Sequence, residues 1–253
     1  MSDAPRVSVV VPFFDRQKYL AACVEALLAQ DDVGPIEIIL VDNGSTGAAP
    51  AAIGRHPRLT LLRERTPGVY AARNTGIRHA RAPIIALTDA DCVADRDWLR
   101  SVCDGMQDAS VGILIGECRY PAEASLALKL LAAYENAKAE YVIDRCASAY
   151  HFAYANNMAV RASVFAELGP FREWSRAADS ELVHRVRSTR PDLRLAFRRS
   201  MRVTHLEFLR VRDRLTRLSL YSRTNAQIAT FRELGAVHRA GVLRHMLRRA
   251  GTR

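Results

Sequence analysis

The chain predicts an α/β fold with a mostly parallel central sheet flanked by helices. Short runs rich in Val and Ile, apolar throughout, alternate with segments of helical periodicity across its first half. That is the pattern of strands covered on both faces. Turn-like stretches bearing Asp, Asn and Gly follow several of these runs directly, and in such sheets ligands collect at the carboxyl ends of strands.

The first strand is read in "VSVVVPF", where β-branched residues run to Pro12. "QKYLAACVEALLAQ" then sets Leu20, Val24, Leu27 and Leu28 at helical spacing. "IEIILVD" is a second strand, closed by "NGSTG". A short helix is expected over 48–55 and a third strand in "RLTLLRE". "GVYAARNTGIRHA" reads as a helix, with Val69, Arg73 and Ile77 four apart. "IIAL" is a fourth strand. "ADRDWLRSVCDGM" is a helix with Asp95 as N-cap, and "VGILIGECRY" a fifth strand. Beyond it, a long helix is expected over 123–145. "HFAYANNMAVRASVFAELGPFREW" gives a short strand, a helix and a Gly-Pro break, and a further helix spans 179–187. "RLAFR" and "RVTHLE" read as two strands.

From Glu207 the chain reads as helical to its end, with Phe208, Val211, Leu215 and Leu218 on one face and a second basic helix over 236–249. The expected organisation is therefore a domain over 1–206, with halves 1–118 and 119–206, and a basic amphipathic tail over 207–253. Of the formal net charge of +10, most sits in residues 201–253, which hold twelve Arg and three acids. Such helices suit peripheral contact with a membrane surface, or packing on the core or a second subunit. Nucleic acid is a poorer partner, because the tail has few aromatics to stack on. No secretory leader or membrane span is read, and five cysteines without a C-x-x-C pair suggest reduced thiols in the cytoplasm. Cys92 reads as a buried free thiol.

The strongest chemical signal is "TDADC". In an extended segment Asp89 and Asp91 point to one side. They suit either a helix-capping turn or a grip, through Mg2+ or Mn2+, on a diphosphate.

Four stretches together, "VSVVVPFFDRQKYL", "IEIILVDNGSTG", "RTPGVYAARNTGIRHARAPIIALTDADC" and "NNMAVRASVFAELGPFREW" with "AADSEL", resemble family 2 glycosyltransferases in order and spacing over residues 6–205. The resemblance implies a GT-A fold, a nucleotide-diphosphate sugar as donor, a divalent metal and inversion at the anomeric carbon. It assigns Asp89-Ala90-Asp91 to the D-x-D motif, with Asp91 on the metal and Asp89 nearer the donor's ribose or sugar. Pro12, Phe14 and Asp15 match the loop where an aromatic ring packs on the nucleobase, with Asp15 replacing the usual Asn. Asp42 and Asn43 match an acidic pair that binds the base, the second acid here being an amide. Arg73 matches a position near the nucleotide, and a guanidinium suits phosphate.

The same resemblance makes Asp179 the general base, with Ala178 standing where the family has Glu and Glu181 as a fallback. His205 is the candidate third metal ligand. Trp174, a ring for an acceptor to stack on or for the core, and Asn157 are assigned to the acceptor side. The rival readings are a nucleotidyltransferase, for which "PFFDRQ" lacks a Gly- and Lys-rich phosphate loop, and a binding protein that keeps the fold without turnover.

Overall fold

The computed structural model describes residues 4–15, 17–31, 33–46, 56–145, 153–174, 176–212, 214–215, 242, 245–246 and 248. In chain order the elements are β1 (Val7–Phe13), α1 (Gln17–Leu28), β2 (Ile36–Asp42), β3 (Leu59–Arg63), α2 (Val69–His79), β4 (Ile84–Thr88), β5 (Cys92–Ala94), α3 (Trp98–Gly105), β6 (Val111–Arg119), α4 (Leu126–Arg145), β7 (Asn157–Arg161), α5 (Ala162–Leu168), α6 (Ala178–Thr189) and β8 (Arg194–His205). One sheet of eight strands runs in the order β3-β2-β1-β4-β7-β6-β8-β5. The run β3-β2-β1-β4 is parallel throughout, and β6 is parallel to β8. β7 is antiparallel to both its neighbours, and β5 is antiparallel to β8.

Alternation along the strands makes a core on each face. Val7, Val9, Val11 and Phe13 of β1 pack with Leu20, Val24 and Leu27 of α1 and with Trp98, Leu99 and Val102 of α3. Val10 turns the other way, toward Tyr70, Ala72 and Ile77 of α2, beside Phe165, Phe171, Leu182 and Val186. α2 lies close on β1 because Gly76 has no side chain: a Cβ there would stand 2.4 Å from Val10 Cγ1. Among the described residues, no helix is long and apolar enough to cross a membrane.

Several expectations are corrected. β1 continues through Pro12, so this residue is a buried strand position and not part of the loop after it. Its missing N–H is tolerated because β4 pairs with β1 only from Val7 to Val10. Cys92–Ala94 form a short strand, and α3 begins only at Trp98. Asp95 is therefore not the N-cap. Its carboxylate pairs with Arg202 at 2.7 Å, and Asp97, at the cap position without a side-chain cap bond, lies 3.6 Å from the same guanidinium. "RLAFR" and "RVTHLE" are one strand, β8, with an irregularity between Gly116↔Arg198 and Glu117↔Arg202 that leaves residues 199–201 without ladder partners. Residues 206–210 are not helical, and Phe208 folds back onto Tyr120, Ala124 and Leu128. Residues 211, 212, 214 and 215 are helical, while the expected helix over 48–55, Cys146 and most of the basic tail lie outside the described residues.

Candidate active site

The loops after β1, β2 and β3 are laced together by short polar contacts. Asp15 adopts a left-handed φ of 45°. Its N–H donates to Ser45 Oγ at 3.0 Å, and its carboxylate accepts from the Thr46 N–H. Asp42 accepts the Ser45 N–H at 2.9 Å, an Asx-type turn closed by Gly44 at φ 90°. This leaves Phe14 at the rim with 54% of its surface exposed, an aromatic face not committed to the core.

Asn43 corrects an expectation. Its Nδ2 donates to the carbonyls of Glu64 and Thr66, and its Oδ1 accepts the Gly68 N–H. Both donor hydrogens are spent on holding the approach to α2, so the amide serves as a loop clamp and has no donor left to read a base.

The acids of "TDADC" lie on the connection that leaves the end of β4 and crosses to β5 at the far edge of the sheet. There the two separate. Asp89 Oδ1 meets Arg73 Nη2 at 2.5 Å. Asp91 is buried and groups with Cys92 and His205, their ligand atoms all within 4.8 Å of one another. The register explains this grouping, since Cys92 lies directly opposite His205 and the Leu206 N–H bonds the Asp91 carbonyl. His205 Nε2 stands 3.8 Å from Asp91 Oδ1, while its Nδ1 is buried without a hydrogen-bond partner. Carboxylate oxygen and imidazole nitrogen with an orphaned ring atom are a donor set that fits a divalent cation. Asp89, expected to share the metal, lies outside this cluster. Burial, with the Asp91 charge, pushes the Cys92 thiol well up, as expected of a buried, unreactive thiol.

Arg73 is itself buried on α2, its guanidinium 5.2 Å from the Tyr70 ring centroid. Burial opposes its charge, but Asp89, Tyr70 and Asp179 outweigh that and hold its pKa above the ordinary value. The neighbouring Asn74 clamps the segment before α6: its amide bonds the backbone of Phe171 in both directions and reaches Glu173. Trp174, next in that segment, is 36% exposed.

α6 starts after Ala177, which takes a left-handed φ of 64°. Asp179 therefore falls in the first turn. Its Oδ1 accepts the Ser180 N–H at 2.8 Å and its Oδ2 the Ala155 N–H at 3.2 Å. Burial raises its pKa above the ordinary carboxylate value, against the pull of Arg73, these N–H groups and the Tyr70 hydroxyl. Glu181 is no substitute, because both its oxygens are held by Arg185 at 3.0 and 2.9 Å. Asn157, expected on the acceptor side, is completely buried. Its carboxamide accepts from Trp98 Nε1 and donates to the carbonyls of Glu117 and Met201, so it belongs to the sheet. Sequence reasoning passed over Tyr70 and Asn74. Both stand in "YAARN" beside Arg73, and Tyr70 shares its helix face at a spacing of three.

A mixed sheet with flanking helices, acids at the ends of its strands and a further carboxylate at a helix start defines the GT-A class of glycosyltransferase folds. Residues 8–169 match the glycosyl transferase family 2 model, and the chain belongs to that family. Glycosyltransferase AglE of Haloferax volcanii is 28% identical over 178 residues, 67% of this chain and 57% of that protein. The chain thus spans little more than half of that relative. The mannosyltransferase PcManGT from Pyrobaculum calidifontis, solved with GDP-Man and Mn2+, superposes with a TM-score of 0.60 at 24% identity, covering 79% of this chain and 56% of that one. S. aureus TarS 1-349 with UDP-GlcNAc gives 0.60 at 14% identity, covering 98% and 73%. At these identities the solved structures establish the fold alone.

Proposed function

We propose that this chain transfers a sugar from a nucleotide-diphosphate sugar to an acceptor hydroxyl, with inversion. The observation that carries this reading is a shared guanidinium: Arg73 pairs with Asp89 of the acidic loop, and its charge also acts on Asp179 at the start of α6. A donor-side acid and a second carboxylate of different environment are thus held in one charge network.

In this reading Phe14 packs on the nucleobase from the rim, while Asp42 and the loop it closes border the base. Arg73 and Asp89 orient the diphosphate and the adjoining sugar. Asp91 and His205 hold a divalent cation, whose chemistry is to neutralise charge on the departing diphosphate. The solved relatives support the donor class, since PcManGT was captured with GDP-Man and Mn2+ and TarS with UDP-GlcNAc.

Asp179 takes the proton of the acceptor hydroxyl. The acceptor oxygen then bonds the anomeric carbon from the face opposite the diphosphate, as the bond from that carbon to phosphate oxygen breaks. The nucleoside diphosphate leaves with the electron pair, and no covalent enzyme intermediate forms. A carboxyl raised by burial is a better base for a hydroxyl than a solvated one. Trp174, exposed three residues before α6 is entered at Ala177, is offered to the acceptor.

The reading is tested by screening UDP-GlcNAc and GDP-Man with Mn2+ for thermal stabilisation, then following nucleotide release in the parent and in Asp179→Asn. Loss of release with donor stabilisation kept supports the base assignment. Release at the parental rate overturns it.

A further inference from the structure

Two consecutive asparagines at the start of β7 are used differently. Asn157 commits its carboxamide to Trp98 and to two sheet carbonyls. Asn156 does not. Its Oδ1 is shut off from solvent and accepts no hydrogen bond, and its Nδ2 reaches the Cys118 sulfur at 3.8 Å, a weak acceptor. An enclosed amide oxygen without a donor is uncommon in folded proteins and calls for a reason.

The backbone that carries this side chain is pinned residue by residue. The Tyr154 hydroxyl donates to the Gly116 carbonyl at 2.6 Å. The Ala155 N–H donates to Asp179 Oδ2 at 3.2 Å, and the Asn156 carbonyl accepts from Thr88 Oγ1 at 3.1 Å. Thr88 ends β4, directly before Asp89, and Asp179 lies in the first turn of α6. β7 runs antiparallel to β4 and β6, so its start stands at their carboxyl ends. Residues 155 and 156 thus bridge the acidic loop and the carboxylate of α6 through two printed contacts of their own main chain.

We propose that Asn156 hydrogen-bonds a hydroxyl of the transferred sugar and so takes part in choosing the donor. The proposal rests on the reading of this chain as a nucleotide-sugar transferase with its base at Asp179. In an inverting transfer the sugar ring lies between the departing diphosphate and the base. The main chain of 155–156 touches the base on one side and the strand end before Asp89 on the other. Asn156 is therefore placed along that ring. Its carboxamide is held weakly, its terminal torsion is a broad one, and the residue keeps partial exposure. It turns at little cost to offer Oδ1 to an incoming O–H. A site that pairs an otherwise unpartnered amide with a hydroxyl discriminates against a sugar that lacks it.

The experiment compares the parent with Asn156→Ala and Asn156→Ser, both too short to make the bond. Melting temperatures should match the parent's, because no strong hydrogen bond is removed. Isothermal titration calorimetry with Mn2+ then measures UDP, GDP, UDP-GlcNAc and GDP-Man. The sugar nucleotide that the parent binds should lose about tenfold in affinity in both variants, the scale of one hydrogen bond. The matching nucleoside diphosphate should bind as in the parent.

Parental affinity for the sugar nucleotide in a folded variant overturns the proposal and leaves the donor reading standing. An equal loss for the bare nucleoside diphosphate also overturns it, since Asn156 would then act on the nucleotide side. A parent that binds none of the four removes the donor reading, and the role of Asn156 with it.

Discussion

Replacing Asn157 with Ala separates a scaffold role from an acceptor role. In the structure this carboxamide accepts from Trp98 Nε1 at 2.8 Å and donates to the carbonyls of Glu117 and Met201, each at 2.9 Å. Glu117 opens the β6–β8 irregularity, and Met201 is one of the residues passed over by the ladder. The side chain therefore supplies hydrogen bonds that the sheet itself cannot make there. Truncation leaves three buried polar groups short of a partner, at roughly 1 kcal/mol or more each, so about 3 kcal/mol in all. For a domain of this size that is roughly 6–12 °C in melting temperature. Differential scanning calorimetry with a urea titration measures both figures. A melting temperature within about 2 °C of the parent, well below the loss that scaling gives, combined with weakened acceptor use, would refute the reasoning and restore Asn157 to the acceptor site.

Gly76→Ala should destabilise by about 1–3 kcal/mol, the usual cost of overpacking, because its Cβ would stand 2.4 Å from Val10 Cγ1. Urea unfolding reads this, and a neutral result would mean that α2 is not seated on β1 as described. Nucleotide release should fall as pH drops through the native pKa of Asp179. Burial sets that pKa above the ordinary carboxylate value and the base must be ionised, so the loss begins at a higher pH than for a solvated Asp. A pH–rate profile flat down to about pH 4 would contradict this. Mn2+ added with UDP or GDP should raise the parent's melting temperature, and Asp91→Asn or His205→Gln should lose most of that gain. If both variants kept it, the cluster with Cys92 would not be the metal site.

The first half of the fold was legible because its signals are local. β1, β2 and β4 are short runs of Val, Ile and Leu, and each ends near the acids or amide that matter. What escaped was set by pairing at long range. Cys92–Ala94 are too few to show a period, and they become a strand only by meeting β8 more than a hundred residues on. The split reading of β8 has the same origin, because a bulge breaks the alternation that marks a strand. Asp95 read as a cap from its place before a helical run, yet it faces Arg202, which no window around it contains. Among the site residues, the strand-end positions of Asp89 and Asp91 were visible. Their division between Arg73 and the His205 cluster was not, since it depends on the turn from β4 toward the sheet's far edge. Asn43 and Asn157 share one lesson: an amide beside a motif is as suited to closing backbone hydrogen bonds as to touching a ligand.

Charge explains why the acids of this site belong to one system. Arg73 is buried, its side chain 5% exposed, in a chain whose excess charge is positive. A buried guanidinium left without compensation costs several kcal/mol, so the fold itself requires carboxylates around it. Asp89 meets that need directly, and Asp179 contributes through space. Asp91 stands apart from this pair, grouped with Cys92 and His205. Neutralising Asp89 would leave Asp179 as the nearer counter-charge to Arg73 and draw its pKa down. Asp89 thus bears on the ionisation of Asp179 through Arg73. The effects of changing Asp89 and Asp179 cannot be additive, because both act on the same buried charge. The sharing follows from the placement of Arg73 on α2, whose close seat on β1 depends on the missing side chain of Gly76.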